Sequence, residues 1–270
     1  MTFINNSDEF DQHFLVDNDV LNNFIKVCNI SPIDTILEIG PGKGVVTKIV
    51  AKKAKKVIAI EIDERLKPFH DEIKDKFDNV SFIYGSALDI DYPPHDKIIT
   101  SLPYSIVEPF IYKLSNFKNE EVTMIVGKKY ADAVVNNEIN MLSLLTNCHF
   151  KVIKHFDITP ESFEPKPRVM SSVITLKSKD VSEIENPIIK VFRWLFYYKD
   201  KKIKNGLVES LIKSYEDLHL TQRMCRELIN GINESILENK FETCSNEDLK
   251  DLYNAVVRIN DEKIRCWVSR

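Results

Sequence analysis

The chain has 270 residues, 43% hydrophobic and 29% charged, enough to bury an ordinary core and long for one small domain. Its formal net charge of -4 excludes a global basic field that would hold a polyanion, so any contact with nucleic acid has to come from local patches. The five cysteines (Cys28, Cys148, Cys225, Cys244, Cys266) are scattered without a C-x-x-C pair, which argues against a zinc or redox centre and reads as reduced thiols. Residues 1–9 lack the positive start and apolar core of a secretory signal, and no apolar stretch approaches the roughly 20 residues that span a bilayer. The expectation is a soluble, cytoplasmic, metal-free monomer.

From Thr35 to Val126 short β-branched runs alternate with longer mixed segments, the pattern of a parallel sheet with crossover helices. Thr35 to Ile39 predicts a buried strand running into glycines, and Lys43 to Ala54 has helical spacing. Val57 to Glu61 predicts a second strand, a helix follows from about Glu64, and Val80 to Tyr84 predicts a third strand. Lys97 to Thr100 and Val122 to Val126 predict a fourth and fifth, separated by a helix over Val107 to Leu114. Phe150 to Ile158 and Met170 to Leu176 predict two more strands around an irregular loop, Thr159 to Pro167, which three prolines stiffen. Beyond Lys179 the β character disappears, and Ile184 to Val257 predicts amphipathic helices. The boundary falls near Ser178 to Ser182, giving an α/β domain over 1–178 and a helical domain over 179–270.

Glu38-Ile39-Gly40-Pro41-Gly42-Lys43-Gly44 joins a strand to a helix, and glycine lets backbone approach a ligand closely because it has no Cβ and tolerates positive φ. Such loops serve several nucleotide ligands. A dinucleotide fingerprint wants a third glycine where Val45 stands, and a phosphate-binding P-loop wants Ser or Thr where Gly44 follows Lys43. Glu61 ends the second strand about twenty residues on, where an acidic side chain can accept the ribose hydroxyls of an adenosyl group. The role of Glu38 is left open between fixing the loop and facing a positive ligand.

Six blocks in order carry a resemblance: Gln12-His13-Phe14-Leu15, Glu38 to Gly44, Glu61-Ile62-Asp63, Gly85-Ser86-Ala87-Leu88, Leu102-Pro103-Tyr104, and Phe163-Glu164-Pro165-Lys166-Pro167-Arg168-Val169. Over most of residues 10–178 the chain resembles the ribosomal RNA adenine dimethyltransferases, which include the erythromycin-resistance methyltransferases. The resemblance implies a Rossmann-like methyltransferase sheet with a small C-terminal all-helical domain, and methyl transfer from S-adenosylmethionine to N6 of adenosine in RNA. It implies cofactor contacts from His13, Leu15, Gly40, Gly42, Glu61, Ile62, Ser86, Ala87 and Ser101. Two positions depart from the family pattern: Ser86 stands where an aspartate usually accepts a hydrogen bond from the adenine amine, and Ser101 stands where the family has asparagine.

An aromatic amine becomes nucleophilic when acceptors orient its hydrogens and aim its lone pair, which is mainly a positioning effect. Ser101 and the Leu102 carbonyl are the candidate acceptors, Pro103 shapes the turn, Tyr104 would stack on the base, and Phe163 would cover its other face. RNA affinity rests on phosphate contacts, which makes Lys166, Arg168 and the run Lys201, Lys202 and Lys204 candidate RNA ligands, with Lys128 and Lys129 after the fifth strand. The partner implied is ribosomal RNA or a small ribosomal subunit. Against it, Ser7-Asp8-Glu9-Phe10-Asp11 is acidic where the family tends to be basic. Two rival functions stay open: a relative that binds RNA or ribosomes with impaired catalysis, and a methyltransferase acting on a different amine.

Overall fold

The computed structural model describes residues 12–117 and 121–264, so the acidic stretch at 7–11 and Cys266 lie outside the described residues. The chain divides into two compact units, one of residues 1–135 with 151–178, the other of 136–150 with 179–270.

Among the described residues the first unit holds nine strands: β1 (Phe14–Leu15), β2 (Thr35–Ile39), β3 (Lys56–Glu61), β4 (Val80–Tyr84), β5 (Lys97–Ser101), β6 (Glu121–Gly127), β7 (Phe150–Ile158, its first residue grouped with the second unit), β8 (Phe163–Glu164) and β9 (Ser171–Ser178). Seven of them form one sheet in the order β4-β3-β2-β5-β6-β9-β7. The pairs β4-β3, β3-β2, β2-β5 and β5-β6 are parallel, and β9 runs antiparallel to β6. Strands β2, β3 and β6 are nearly continuous runs of buried residues, as expected of central strands covered on both faces. Helices α2 (Val45–Val50), α3 (Lys67–Lys74) and α4 (Val107–Leu114) make the crossovers, and α5 (Lys128–Val135) follows β6. The chain moves outward from β2 to β4 and then returns to β5 on the other side of β2. That reversal opens a crevice at the carboxyl ends of the central strands.

Several details differ from the sequence expectations, among them the helices α5 and α6 (Met141–His149) over a stretch to which the sequence reading assigned no element. The helix expected over Lys43 to Ala54 is shorter, Val45–Val50: Gly44 sits in the left-handed region at φ 75° and cannot be its first turn, and residues 51–54 close in turns, the Lys52 and Lys53 amides donating to the Ile49 and Val50 carbonyls. The proline loop carries a one-turn 3-10 helix, Pro160–Ser162, and the short strand β8. Proline is tolerated there because the first position of a helical turn has no use for its N–H. Helix α1 (Asn18–Val27) is a further element: Asp17 caps it by accepting from the Asp19 and Val20 amides, and Leu21, Phe24 and Ile25 bury one face. Strand β1 pairs antiparallel with β8, Leu15 opposite Phe163, and the Val16 amide donates to the Ser162 carbonyl.

The second unit is helical: α6 (Met141–His149), α7 (Pro187–Tyr197), α8 (Ile203–Ser214), α9 (Gln222–Ile229), α10 (Glu234–Glu238) and α11 (Asn246–Arg258). It therefore takes in residues 136–150 as well as those beyond Lys179. Its core packs Phe192 and Phe196 against Phe241, the first tilted and the second edge-on. Gly206 lets α8 approach α7 closely, since a Cβ there would come 3.0 Å from Leu195 Cδ1. Cys28, Cys148, Cys225 and Cys244 are free thiols. Among the described residues no helix is long and apolar enough to cross a membrane, and no cluster of histidine, cysteine and carboxylate side chains could hold a metal ion.

Candidate active site

A cavity of about 340 Å³ lies at the carboxyl ends of β2, β3 and β5, within the first unit. That is the size of a small-molecule site, typically about 300–1,000 Å³. Its wall brings together most of the residues that the sequence singled out: His13, Leu15, Glu38, Gly40, Gly42, Glu61, Ile62, Ser86, Ala87, the turn Ser101-Leu102-Pro103-Tyr104, and Phe163. Lys166, Arg168, Lys201, Lys202 and Lys204 are not among the lining residues.

The glycine loop is held by backbone contacts that only glycine permits. Gly42 has φ 57°, and a Cβ on it would stand 3.0 Å from the Phe14 ring; Gly44 has φ 75°, and a Cβ would stand 2.1 Å from Ile73 Cδ1. The Gly42 peptide is gripped from both sides. Its N–H donates to Glu61 Oε2 at 3.0 Å, and its carbonyl faces His70 Nε2 at 2.8 Å. His70 Nδ1 lies 2.9 Å from the Tyr84 hydroxyl, and its ring stacks on Phe82 with centroids 4.1 Å apart. Burial holds this imidazole below its ordinary pKa, so the ring is neutral. A nitrogen facing a carbonyl must carry the proton, so Nε2 donates to Gly42 and Nδ1 accepts from Tyr84. The histidine was not singled out in the sequence; the signal was there in the spacing Leu66, His70, Ile73, one buried helical face.

Two carboxylates stand behind the loop. Glu61 is 2% exposed, and its second oxygen accepts the Asp63 amide at 2.9 Å, so each oxygen has one backbone donor and keeps further acceptor capacity. Burial raises its pKa, and the Asp63 and Gly42 amides oppose the rise. Glu38 is 3% exposed, and its Oε2 has no hydrogen-bond partner among the described residues. Burial pushes its carboxyl up to about 7; nearby Thr47 eases the charge without reaching hydrogen-bond geometry, and Glu61 adds repulsion. An orphaned acceptor at a cavity wall is where a cationic ligand group would be stabilised. Ile62, half exposed, offers an apolar face at the rim.

The loop after β4 is organised from α4. Lys113 Nζ donates to the carbonyls of Ala87, Leu88 and Ile90 at 2.9, 3.0 and 2.5 Å, and sits 4.3 Å from the Tyr92 ring centroid. Tyr92 adds its own hydroxyl bond to the Ala87 carbonyl. Lys113 is a site-shaping residue that sequence reading missed, because its partners lie 23 to 26 positions away. Within that loop Ser86 Oγ accepts the Leu88 amide at 3.2 Å and keeps its proton and a second lone pair for another partner.

Ser101 is the last residue of β5, and Leu102 is buried with Cδ2 3.4 Å from where a Gly40 Cβ would be. Tyr104 opens a 3-10 turn, and its hydroxyl lies 2.6 Å from Ser171 Oγ, which fixes the ring near Gly127. Phe163 is buried in the cluster of Leu15, Phe24 and Ile158 while also forming cavity wall, so it anchors β8 as well as bounding the site. His13 Nδ1 lies 2.7 Å from the Pro165 carbonyl, which fastens β1 to the proline loop beside the cavity.

The basic candidates divide. Arg168 is exposed, and Lys166 has one long contact with Glu161 at 3.8 Å. Lys202 and Lys204 both bind Glu238 of α10, whose carboxyl these two ammonium groups hold down at about 2. Lys201 reaches Glu209 only at 4.0 Å. Lys128 is locked with Lys154 between Asp132 and Asp157, a network of two positive and two negative groups that leaves little charge for a distant partner.

Comparison with known proteins places this site in context. Residues 4–222 match the family described as "Ribosomal RNA adenine dimethylase". A protein of Methanosphaera stadtmanae described as "Probable ribosomal RNA small subunit methyltransferase A" is 30% identical over 247 residues, covering 89% of this chain and 90% of that protein. A protein of Methanosarcina barkeri with the same description is 32% identical over 257 residues, covering 92% and 87%. Among solved structures, a dimethyladenosine transferase from Plasmodium falciparum aligns with a TM-score of 0.62 at 22% identity, covering 92% of this chain and 98% of that one. The 23S rRNA methyltransferase ErmE aligns with a TM-score of 0.59 at 18% identity, covering 90% and 99%. At these identities the two structures speak for the fold.

Proposed function

The chain belongs to the ribosomal RNA adenine dimethylase family, and from that premise we propose that it transfers a methyl group from S-adenosylmethionine to N6 of an adenosine in ribosomal RNA. The observation that carries the reading is that one cavity joins the glycine loop, two buried carboxylates and the Ser101-Leu102-Pro103-Tyr104 turn. When bound, S-adenosylmethionine supplies an electrophilic methyl on a positively charged sulfur.

The residues fit that group. Gly40 and Gly42 allow its methionine portion to lie against backbone, and Glu61 offers its spare lone pairs to the ribose hydroxyls. Ile62 and Ala87 bound the adenine, with His13 and Leu15 closing over the site. Ser86 meets that adenine with a neutral hydroxyl, whose remaining lone pair is a weaker acceptor for the amine than the carboxylate the family has there. Glu38 supplies a carboxylate with one unpartnered oxygen against the cationic end of the ligand. No strong base is required: Ser101 Oγ and the Leu102 carbonyl accept the N6 hydrogens and aim its lone pair, while Tyr104, pinned through Ser171, holds the ring plane. Phe163 closes the opposite wall. The proton released from N6 passes to solvent after transfer. On the RNA side, Lys166 and Arg168 beside the proline loop and Lys201 in the helical domain over 179–270 serve as phosphate contacts, and Lys202 and Lys204 join them only by giving up Glu238.

One observation favours a second reading, a relative that binds cofactor and RNA without turnover: Ser86 offers the adenine amine a neutral hydroxyl that already accepts the Leu88 amide, a weaker acceptor than a carboxylate. A single experiment separates the two. Label from S-adenosylmethionine entering small-subunit ribosomal RNA, recovered as N6-methylated adenosine after digestion, supports the transfer; measurable cofactor binding with no label in RNA or immature subunits refutes it.

A further inference from the structure

Helix α7 carries two stripes. Val191, Phe192, Leu195 and Phe196 are buried and form the core stripe. Trp194 and Tyr197, spaced i and i+3, with Tyr198 at the C-cap, form a second stripe, where a surface helix ordinarily carries polar residues. Tyr197 is 73% exposed, the second most exposed large hydrophobic after Ile33 among the described residues. It meets Trp194 edge-on, with centroids 6.0 Å apart and planes at 86°, and Tyr198 likewise at 5.1 Å and 79°. Neither contact is a parallel stack, so most of the Tyr197 ring remains in water.

Cations surround this stripe. Lys201 Nζ lies 4.5 Å from the Tyr198 centroid, and Lys213 Nζ lies 6.0 Å from that of Trp194. Their carboxylate neighbours are distant and exposed, Glu209 at 4.0 Å from Lys201 and Glu216 at 3.8 Å from Lys213. Exposed ion pairs of that length are weak, so both ammonium groups are available to a competing anion. An exposed aromatic ring edged by available cations is the arrangement that grips unpaired nucleotides, the ring stacking on a base and the lysines meeting its phosphates. A purely apolar protein partner would have to strip water from both ammonium groups without compensation.

We propose that Tyr197, supported by Trp194 and Tyr198, is a stacking platform for an unpaired base of the RNA substrate, with Lys201 and Lys213 on the flanking phosphates. The proposal rests on the RNA-binding reading above and specifies where single-stranded RNA is held in the helical unit.

The test is binding of the full chain to a fluorescent 12-nucleotide single-stranded RNA, and to its duplex, over a series of salt concentrations. Tyr197→Ala is expected to weaken single-strand binding about tenfold, in line with the loss of one stacked base, and to leave the salt dependence unchanged. Tyr197→Phe keeps the ring and should bind within about twofold of the parent. Lys201→Ala is expected to reduce the slope of log affinity against log salt by about one. Melting temperature and S-adenosylmethionine binding report separately that the variants are folded. Unchanged single-strand affinity in Tyr197→Ala overturns the platform. So does weakened binding to intact small subunits with unchanged binding to protein-free RNA, since the surface would then take a protein. Failure of the parent chain to bind either RNA overturns the RNA-binding reading and the platform with it.

Discussion

Replacing Glu38 by glutamine is expected to stabilise the protein at alkaline pH while weakening its cofactor binding. Burial, with Glu61 adding repulsion, carries the Glu38 carboxyl from its ordinary 4.5 to about 7. The folded protein therefore holds a proton that the unfolded chain has released anywhere between those values. With more protons bound in the folded state, stability falls as pH rises from about 4.5 to 7, and the full penalty is present above 7. At about 1.36 kcal/mol per pH unit the penalty is about 3 kcal/mol, or roughly 6 to 12 °C in melting temperature for a unit of this size. Glutamine keeps the shape and removes the titration. Melting curves from pH 5 to 8.5 should show the variant gaining steadily on the parent and levelling above pH 7. In the parent, S-adenosylmethionine should bind more tightly as pH rises from 6 to 8, because a cation in the cavity favours the ionised carboxylate, and this dependence should vanish in the variant. Parallel melting curves for the two proteins would refute the assignment of a buried, unpartnered acid.

Gly44→Ala places a Cβ 2.1 Å from Ile73 Cδ1 at φ 75°, and left-handed strain plus overpacking should cost about 2 to 5 kcal/mol, read by denaturant unfolding. A stability unchanged within error would mean that the loop is not held in this conformation. Lys113→Met keeps the stem but removes the ammonium donor from the Leu88 and Ile90 carbonyls and leaves Ala87 with the Tyr92 hydroxyl; KM for S-adenosylmethionine should rise about tenfold while kcat at saturation holds. An equal fall in both kcat and kcat/KM would place the lysine's effect in the chemical step instead. Tyr104→Phe keeps the ring, loses the bond to Ser171 and should lower kcat a few-fold, whereas Tyr104→Ala removes the ring and should lower it about a hundredfold. Equal losses in the two variants would contradict the ring's part in holding the base.

Much of the sheet was legible because its signals are local. The strands at Thr35–Ile39, Val80–Tyr84 and Phe150–Ile158, and the helix at Val107–Leu114, have the limits that β-branched runs and apolar spacing predict. The glycine loop was legible too, since Gly40, Gly42 and Gly44 all adopt the positive φ that their residue type permits. Helix α2 starts later than its periodicity for the same local reason: Gly44 takes the left-handed conformation at its N-cap.

What the sequence determined by itself was therefore the alternation of strand and helix, the turn chemistry at the glycines, and the order of motif blocks that mark the family. The tertiary structure alone decided how the site is wired. His13 meets the Pro165 carbonyl across 152 positions, His70 meets the Gly42 carbonyl across 28, and Lys202 and Lys204 spend their charge on Glu238 across 36 and 34. Period and conformational preference act between neighbours along the chain and are written in it. A hydrogen bond or an ion pair depends on which groups the fold brings within about 3 Å, and that proximity exists only once distant segments have packed.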